Sequence, residues 1–283
     1  MIIGVLGPTG SYSEKAAKQW IERNSIKDVS LNYYNDINDT FSSVVDSAVE
    51  VGIVPIENSI EGSVGITLDM LLENEIRIIG ETVVSIEHCL LSRGEMSDIK
   101  IILSHPQALA QCRQFLKEHF ENVEIRTTGS TSHAAKLANE FEEMAAIASR
   151  ESAEMYGLNI LAPNIQDRKE NHTRFIVIER PEKTLQPQEE EGDQKTSIIV
   201  YLEKDRPGAL YELLGEFSKI GINLTRIESR PSKKELGDYM FYIDFVGSIN
   251  DPKVKGALES IGSKAGMLKI LGSYTAWDLG AND

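Results

Sequence analysis

Between Glu179 and Lys195 the chain stops reading as packed structure. The stretch carries Pro181, Pro187, Gly192 and the acidic run Glu189-Glu190-Glu191, with few apolar residues to hold it against a core. Such a composition reads as a linker. Assigning it to 181–195 divides the 283 residues into two domains, 1–180 and 196–276. The second is long enough for a small independent domain.

The two sides of that break have different rhythms. Before it, apolar β-type runs alternate with helical patterns. Ile2 to Leu6 reads as a strand and Ser11 to Arg23 as a helix, with Ser11 and Glu14 at capping-box spacing. Asp39 to Glu50 and Ile66 to Leu72 read as helices, Val51 to Val54 as a buried run, and Ile76 to Leu91 as strand-rich. Pro106 stands where a helix can begin without its N–H, and that helix is predicted to reach about Phe120. Alternation of this kind predicts an α/β class with a largely parallel sheet. After the break, strand, helix, strand, strand, helix and strand follow between Thr196 and Tyr274, which is the ferredoxin-like βαββαβ order.

Charge and cysteine content narrow the partners. There are 44 acidic and 29 basic residues, a formal net charge of −15. That field repels nucleic acid and anionic membranes, so neither is expected as a partner. An anionic ligand would have to be held by local groups. Cys89 and Cys112 make no disulfide framework. No CxxC or HExxH spacing suggests a metal, so none is expected. The N-terminus lacks a basic, long-apolar leader, which leads to a cytoplasmic expectation.

Four motifs carry chemistry. Gly7-Pro8-Thr9-Gly10-Ser11-Tyr12-Ser13 joins a strand to a helix N-terminus, where Ser11 and backbone N–H groups could meet an anion. A capped turn explains it equally. Val54-Pro55-Ile56-Glu57-Asn58-Ser59 closes a strand on polar side chains, the place where open α/β sheets bind ligands. A polar turn is its alternative. In Ser104-His105-Pro106-Gln107, with Gln111 one turn later, a hydroxyl and two amides lie at one helix start. His105 has no evident orienting carboxylate and ranks below them as an acid. Asn171-His172-Thr173-Arg174-Phe175 sets a hydroxyl, a permanent cation and an aromatic ring at the start of a strand.

In this order the four motifs resemble the prephenate dehydratase family, and the C-terminal part resembles an ACT regulatory domain. The resemblance implies a two-lobed catalytic domain, similar to periplasmic solute-binding proteins, with a cleft between the lobes. It implies decarboxylating dehydration of prephenate to phenylpyruvate in L-phenylalanine biosynthesis, without a cofactor. Thr173 is then the catalytic donor to the departing hydroxyl. Arg174 would grip the pyruvyl carboxylate, unless it pairs with Asp167 or Glu170 instead. Glu57, Asn58, Ser104, Gln107, Gln111 and Ser11 would line the substrate site. In the C-terminal domain, Asp205-Arg206-Pro207-Gly208-Ala209-Leu210, Asn223 and Glu228-Ser229-Arg230-Pro231 resemble a phenylalanine-binding site between subunits. Gly208, Ala209 and Leu210 would form one side of it. The effector would be L-phenylalanine, and the protein a homodimer or homotetramer. At Ser130-Thr131-Ser132 serine stands where the family favours alanine, so no role is assigned there. With no helical mutase segment before Met1, the monofunctional form is expected.

Two other readings share these residues. An arogenate dehydratase would use the aminated substrate. A non-catalytic amino-acid sensor would keep the lobes without needing the Thr173 hydroxyl.

Overall fold

Period-two apolar runs build three sheets in the computed structural model, which describes residues 1–182, 193–202, 206–232 and 238–277. Most of the segment read as a linker, together with Asp205, lies outside the described residues. The first lobe contains β1 (Ile2–Leu6), α1 (Tyr12–Arg23), β2 (Ser30–Tyr34), α2 (Ile37–Val45), β3 (Val51–Asn58), β4 (Gly62–Ser63), α3 (Gly65–Glu73) and β5 (Arg77–Ser85). The chain crosses at residues 86–88 into a second lobe. There it forms β6 (Cys89–Ser92), β7 (Ile101–Ser104), α4 (Pro106–Gln111), α5 (Arg113–His119), β8 (Glu124–Thr127), α6 (Thr131–Ala138), β9 (Met144–Ala148), α7 (Arg150–Tyr156) and β10 (Asn159–Ala162). It returns through residues 163–171 as β11 (His172–Glu179), which inserts into the first sheet.

That return changes the sheets from the expectation. The first runs β2-β1-β3-β11-β5 and the second β10-β6-β9-β7-β8. Parallel pairing is confined to β1 with β2 and β3, and to β7 with β8 and β9. β11 is antiparallel to both β3 and β5, and β6 is antiparallel to β9 and β10. Both sheets are therefore mixed rather than largely parallel. A strand that re-enters from another lobe need not keep the direction that a local βαβ crossover imposes. The predicted helix from Pro106 to Phe120 is also broken, at Cys112, into α4 and α5.

The third sheet comprises β12 (Gln194–Tyr201), β13 (Leu224–Pro231), β14 (Tyr239–Val246) and β15 (Met267–Thr275), with α8 (Ala209–Lys219) and α9 (Pro252–Lys264). Its order β13-β14-β12-β15 is antiparallel throughout and completes the βαββαβ unit. Alternation along β12 gives each face a partner. Ile198 and Val200 pack with Leu213, Phe217 and Leu258 beneath the helices. Ile199 joins Met240, Tyr242 and Tyr274 in one core with Phe41, Leu68, Ile176 and Ile178 of the first lobe. The C-terminal sheet thus shares a core with the first lobe. At the join, β15 comes so close to β5 that a Cβ on Gly272 would stand 2.2 Å from the Ile78 carbonyl oxygen. Only glycine fits there.

Candidate active site

The two crossing segments are bonded to each other. Ile86 N–H donates to the Asn171 carbonyl at 2.7 Å, and Ile165 N–H to the His88 carbonyl at 2.8 Å. β11 begins where these crossings meet, so Thr173 is held between Asn58 on β3 and Val84 on β5. Strand alternation turns Thr173 and Arg174 to opposite faces. The two neighbours enter two different polar networks.

Thr173 belongs to a chain of neutral groups. Asn58 Oδ1 accepts from the backbone N–H groups of Ile60 and Glu61, both at 3.0 Å. Backbone N–H can only donate, so the orientation of this amide is fixed. Asn58 Nδ2 then donates to Asn171 Oδ1 at 2.8 Å and to Thr173 Oγ1 at 2.9 Å. Asn171 Nδ2 donates to Gln111 Oε1 at 3.0 Å, and His88 Nε2 lies 3.0 Å from the same oxygen. The chain runs from the first lobe across the crossings to α4 of the second. Asn58, Asn171, Gln111 and His88 are all buried, whereas Thr173 keeps partial exposure. Gln111 Nε2 has no hydrogen-bond partner among the described residues.

Other expected ligand groups are engaged within the fold. Ser104 is fully buried and donates to the Ile147 carbonyl at 2.6 Å, so it does not offer its hydroxyl to a ligand. Ser11 caps α1, accepting from Glu14 N–H at 3.3 Å and donating to the Leu6 carbonyl at 3.0 Å. It too is structural. In the loop around it Gly10 N–H donates to Glu14 at 2.6 Å, and the carbonyls take bonds from the second lobe. Ser132 and Tyr156 donate to Thr9 O at 2.5 and 3.3 Å, and Ser152 donates to Gly10 O at 3.1 Å. Ser132, given no role from sequence, thus fastens one lobe to the other. His105 caps α4 through its ring at 3.3 Å, and burial lowers its pKa while the charge of Glu61 opposes this. Gln107 is half-buried near Gln111 on α4.

Arg174 corrects a further expectation. Its guanidinium is not free to grip a ligand. Nε donates to Glu81 at 2.6 Å, Nη1 to Asp244 at 2.5 Å and Nη2 to the Tyr274 hydroxyl at 2.8 Å. Lys195 and the Trp277 N–H complete Glu81 at 2.6 and 2.8 Å, and Ser197 donates to Asp244 at 2.6 Å. The salt-bridge alternative holds, but with Glu81 and Asp244 in place of Asp167 and Glu170. Burial raises the pKa of both carboxylates. Arg174 reverses this for each, helped by Lys195 at Glu81 and Arg226 at Asp244, and both end below the ordinary range. Glu57, 3.5 Å from Arg226 and 3.9 Å from Arg174, borders the same cluster. Phe175 is core, at 2% exposure.

In the C-terminal unit, Gly208 caps α8 at φ +87°, a backbone state that disfavours a side chain. Ala209 lines a cavity of about 230 Å³ with Leu213 and Ile261. Leu210 packs against the core beneath α8. Asn223 precedes β13, and Glu228-Ser229-Arg230-Pro231 ends it at the sheet edge. Among the described residues no hydrogen bond or ion pair joins these two segments. Arg230 instead forks onto Asp69 of α3 at 2.9–3.1 Å.

Sequence reasoning missed His88, Asn171 as a bridge, and the Glu81–Asp244 pair. The Asn171 signal was available, two residues before Thr173. A lone histidine inside the strand-rich stretch from Ile76 to Leu91 gave none.

Comparison with known proteins follows this division. Residues 3–183 match the family described as prephenate dehydratase, and residues 196–263 match the ACT domain. A prephenate dehydratase from Methanocaldococcus jannaschii is 45% identical over 275 residues, covering 96% of this chain and 97% of that protein. A crystal structure of prephenate dehydratase in complex with L-Phe, from Arthrobacter aurescens, superposes with a TM-score of 0.86 at 37% identity, over 98% of this chain and 90% of that one. A structure described as a novel type of quorum quenching acylase reaches 0.85 at 30% identity, over 98% of each chain.

Proposed function

The chain belongs to the prephenate dehydratase family, and from that membership we propose how its own residues carry the reaction. The activity is the dehydration of prephenate in phenylalanine biosynthesis, a hydro-lyase step. The bond from ring to carboxylate breaks and its electron pair enters the ring as the C–OH bond breaks. Carbon dioxide departs, and the hydroxide takes a proton and leaves as water. Phenylpyruvate remains. Aromatisation drives the change, so the proposal invokes no cofactor or metal.

The departing oxygen gathers negative charge and needs a donor. Thr173 supplies it in this reading. The observation that carries it is the Asn58 amide donating to Thr173 Oγ1 at 2.9 Å. With that oxygen already accepting, the hydroxyl hydrogen is left to point at a ligand. A donor of this kind contributes about 100-fold to 1000-fold in rate. Threonine is too weak an acid to give up its proton outright. It works as a placed hydrogen bond that strengthens as charge develops. The substrate's oxygens would be held by neutral donors, Gln111 Nε2 first and the Gln107 amide beside it. A tight cation on the ring carboxylate would stabilise the group that must leave.

L-Phenylalanine would bind the C-terminal domain between two chains, with Gly208 to Leu210 on one and Asn223 with Glu228 to Pro231 on the other. This requires a homodimer or homotetramer. Arg230 supports the transmission, because the same motif grips Asp69 of the catalytic lobe. Prephenate is proposed over arogenate, and the cytoplasm as the compartment.

The test is turnover by the purified protein without added metal. Prephenate should yield phenylpyruvate, arogenate should react more slowly, and phenylalanine should suppress the rate. Thr173→Ala should lose about 100-fold to 1000-fold in kcat while still binding phenylalanine. Hydrolysis of an N-acyl substrate without prephenate turnover would favour an acylase instead. A fully active Thr173→Ala would refute the donor assignment.

A further inference from the structure

We propose that His88 is a positioning residue for the reaction. From the crossing between the lobes, its neutral ring holds the Gln111 amide, and with it the far end of the chain that directs the Thr173 hydroxyl. The inference rests on Thr173 as the donor and extends that reading to a residue with no assigned role.

The direction of every hydrogen bond in the chain can be worked out from its fixed end. Two backbone N–H groups set the Asn58 oxygen, so Asn58 presents its NH2 to Asn171 and Thr173. Asn171 must answer with its oxygen, which turns its own NH2 toward Gln111. Gln111 must answer with Oε1. His88 Nε2, 3.0 Å from that oxygen, must then carry a proton. The tautomer is therefore Nε2–H, with Nδ1 bare in the neutral ring. Among the described residues Nδ1 has no strong donor, since the single proton of the Tyr12 hydroxyl goes to the Glu87 carbonyl at 2.5 Å, while that hydroxyl lies 3.5 Å from Nδ1. Burial favours the uncharged ring, and the bond to Gln111 opposes this without reversing it.

Two donors on Gln111 Oε1 fix the plane of the carboxamide. One alone would leave it free to swing about that bond. The consequence falls on Gln111 Nε2, which is buried and has no partner among the described residues. A buried donor without an acceptor is costly unless a ligand supplies one. His88 thus aims an unused donor, and Asn171 ties that aim to the placement of Thr173. The anchor itself is rigid. His88 is 2% exposed, its N–H donates to Gln166 at 2.9 Å, and its carbonyl receives the Ile165 N–H at 2.8 Å.

The decisive contrast is between two isopolar variants. In His88→Gln the side-chain NH2 reaches the place of Nε2, and kcat should stay within about threefold of the parent. In His88→Asn the amide falls short of Gln111, and kcat should drop about 10-fold to 100-fold, the loss typical of a misplaced reacting group. Thermal melting and phenylalanine binding should show both variants folded. A cycle with Gln111→Ala adds a readout that a purely structural role would not move. If His88 acts through Gln111, the pair His88→Asn/Gln111→Ala should be no slower than Gln111→Ala alone. Equal kcat in the Gln and Asn variants, or additive losses in the cycle, would overturn the proposal. A fully active Thr173→Ala would instead sink the reading on which it rests.

Discussion

Thr173 and Arg174 are neighbours on one strand, yet one ends in a network without a formal charge and the other in a network built of charges. On the Thr173 side, Asn58, Asn171, Gln111 and His88 pass hydrogen bonds from lobe to lobe. On the Arg174 side, two cations and two carboxylates lock β5 and β11 to the C-terminal sheet. Amides and a neutral imidazole can be aimed without creating a field. A site for a dianion on a chain of net charge −15 gains donors this way without added repulsion. Ion pairs give strength instead, at a join where no ligand has to enter.

The largest expected effect tests the charged side. Arg174→Met should destabilise the fold by about 3–5 kcal/mol, because it leaves Glu81 and Asp244 buried with less compensation. Denaturant unfolding measures it. Adding Glu81→Gln should restore part of the loss, since a buried charge is removed with its partner. A loss below about 1 kcal/mol, the worth of an exposed pair, would show that the cluster does not hold the sheets together.

Breaking the neutral side should be read in kcat, since a carboxylate at the buried Asn58 position also costs some stability. Asn58→Asp keeps the shape but removes the donor. Thr173 would then donate to the new carboxylate, and its proton would turn away from the ligand. A fall in kcat of about 100-fold is expected, comparable to Thr173→Ala. A variant with near-parental kcat would separate the Thr173 hydroxyl from the amide chain.

The sequence revealed these two sides unequally. The βαββαβ unit was legible because apolar periodicity and capping signals are local, whereas the two lobes followed only from the family resemblance. Ser11 at the N-cap of α1 and Pro106 at the start of α4 fell where the pattern put them, although Glu14 accepts from Gly10 N–H instead of closing a box onto Ser11. Thr173 was singled out as the proposed donor because the dehydration needs one. The partners of Arg174 were not. Glu81 is 93 residues away and Asp244 is 70 away in another domain, and strand alternation says only that Arg174 faces opposite to Thr173. Ser104 misled for the same reason, since its place at a helix start is local but the Ile147 carbonyl that it bonds is on another strand. The return of β11 as an antiparallel insertion was equally hidden, because direction depends on where a crossing lands.

Acid should distinguish the networks next. Glu81 and Asp244 have folded-state values below their ordinary 4.5 and 3.8. A depressed carboxylate contributes stability that is present above its unfolded value and disappears as pH falls through the folded one. Unfolding free energy should therefore hold steady above pH 5 and decline below 4.5. In Arg174→Met the share of that decline from these two groups should shrink. The neutral chain holds no carboxylate, so Asn58→Asp aside, its variants should keep the parental acid profile. An unchanged profile in Arg174→Met would mean that other carboxylates govern the acid limit.

The smallest effect concerns the link that is charged but only half-buried. Arg230 and Asp69 keep 26% and 23% of their side-chain surface exposed, so water already screens the pair. Arg230→Ala should cost about 1 kcal/mol or less in stability, far below Arg174→Met although both cross the same boundary. The two links then differ in kind. The buried cluster ties the C-terminal sheet to β5 and β11, while the outer fork carries little of that stability and joins the proposed effector motif to α3. Inhibition by phenylalanine should accordingly weaken in Arg230→Ala with basal kcat unchanged. Asp69→Ala should give the same phenotype if the link matters through its catalytic-lobe end. Should Asp69→Ala keep full inhibition while Arg230→Ala loses it, Arg230 would be a ligand contact alone, and coupling between the domains would pass through the shared core and Arg174.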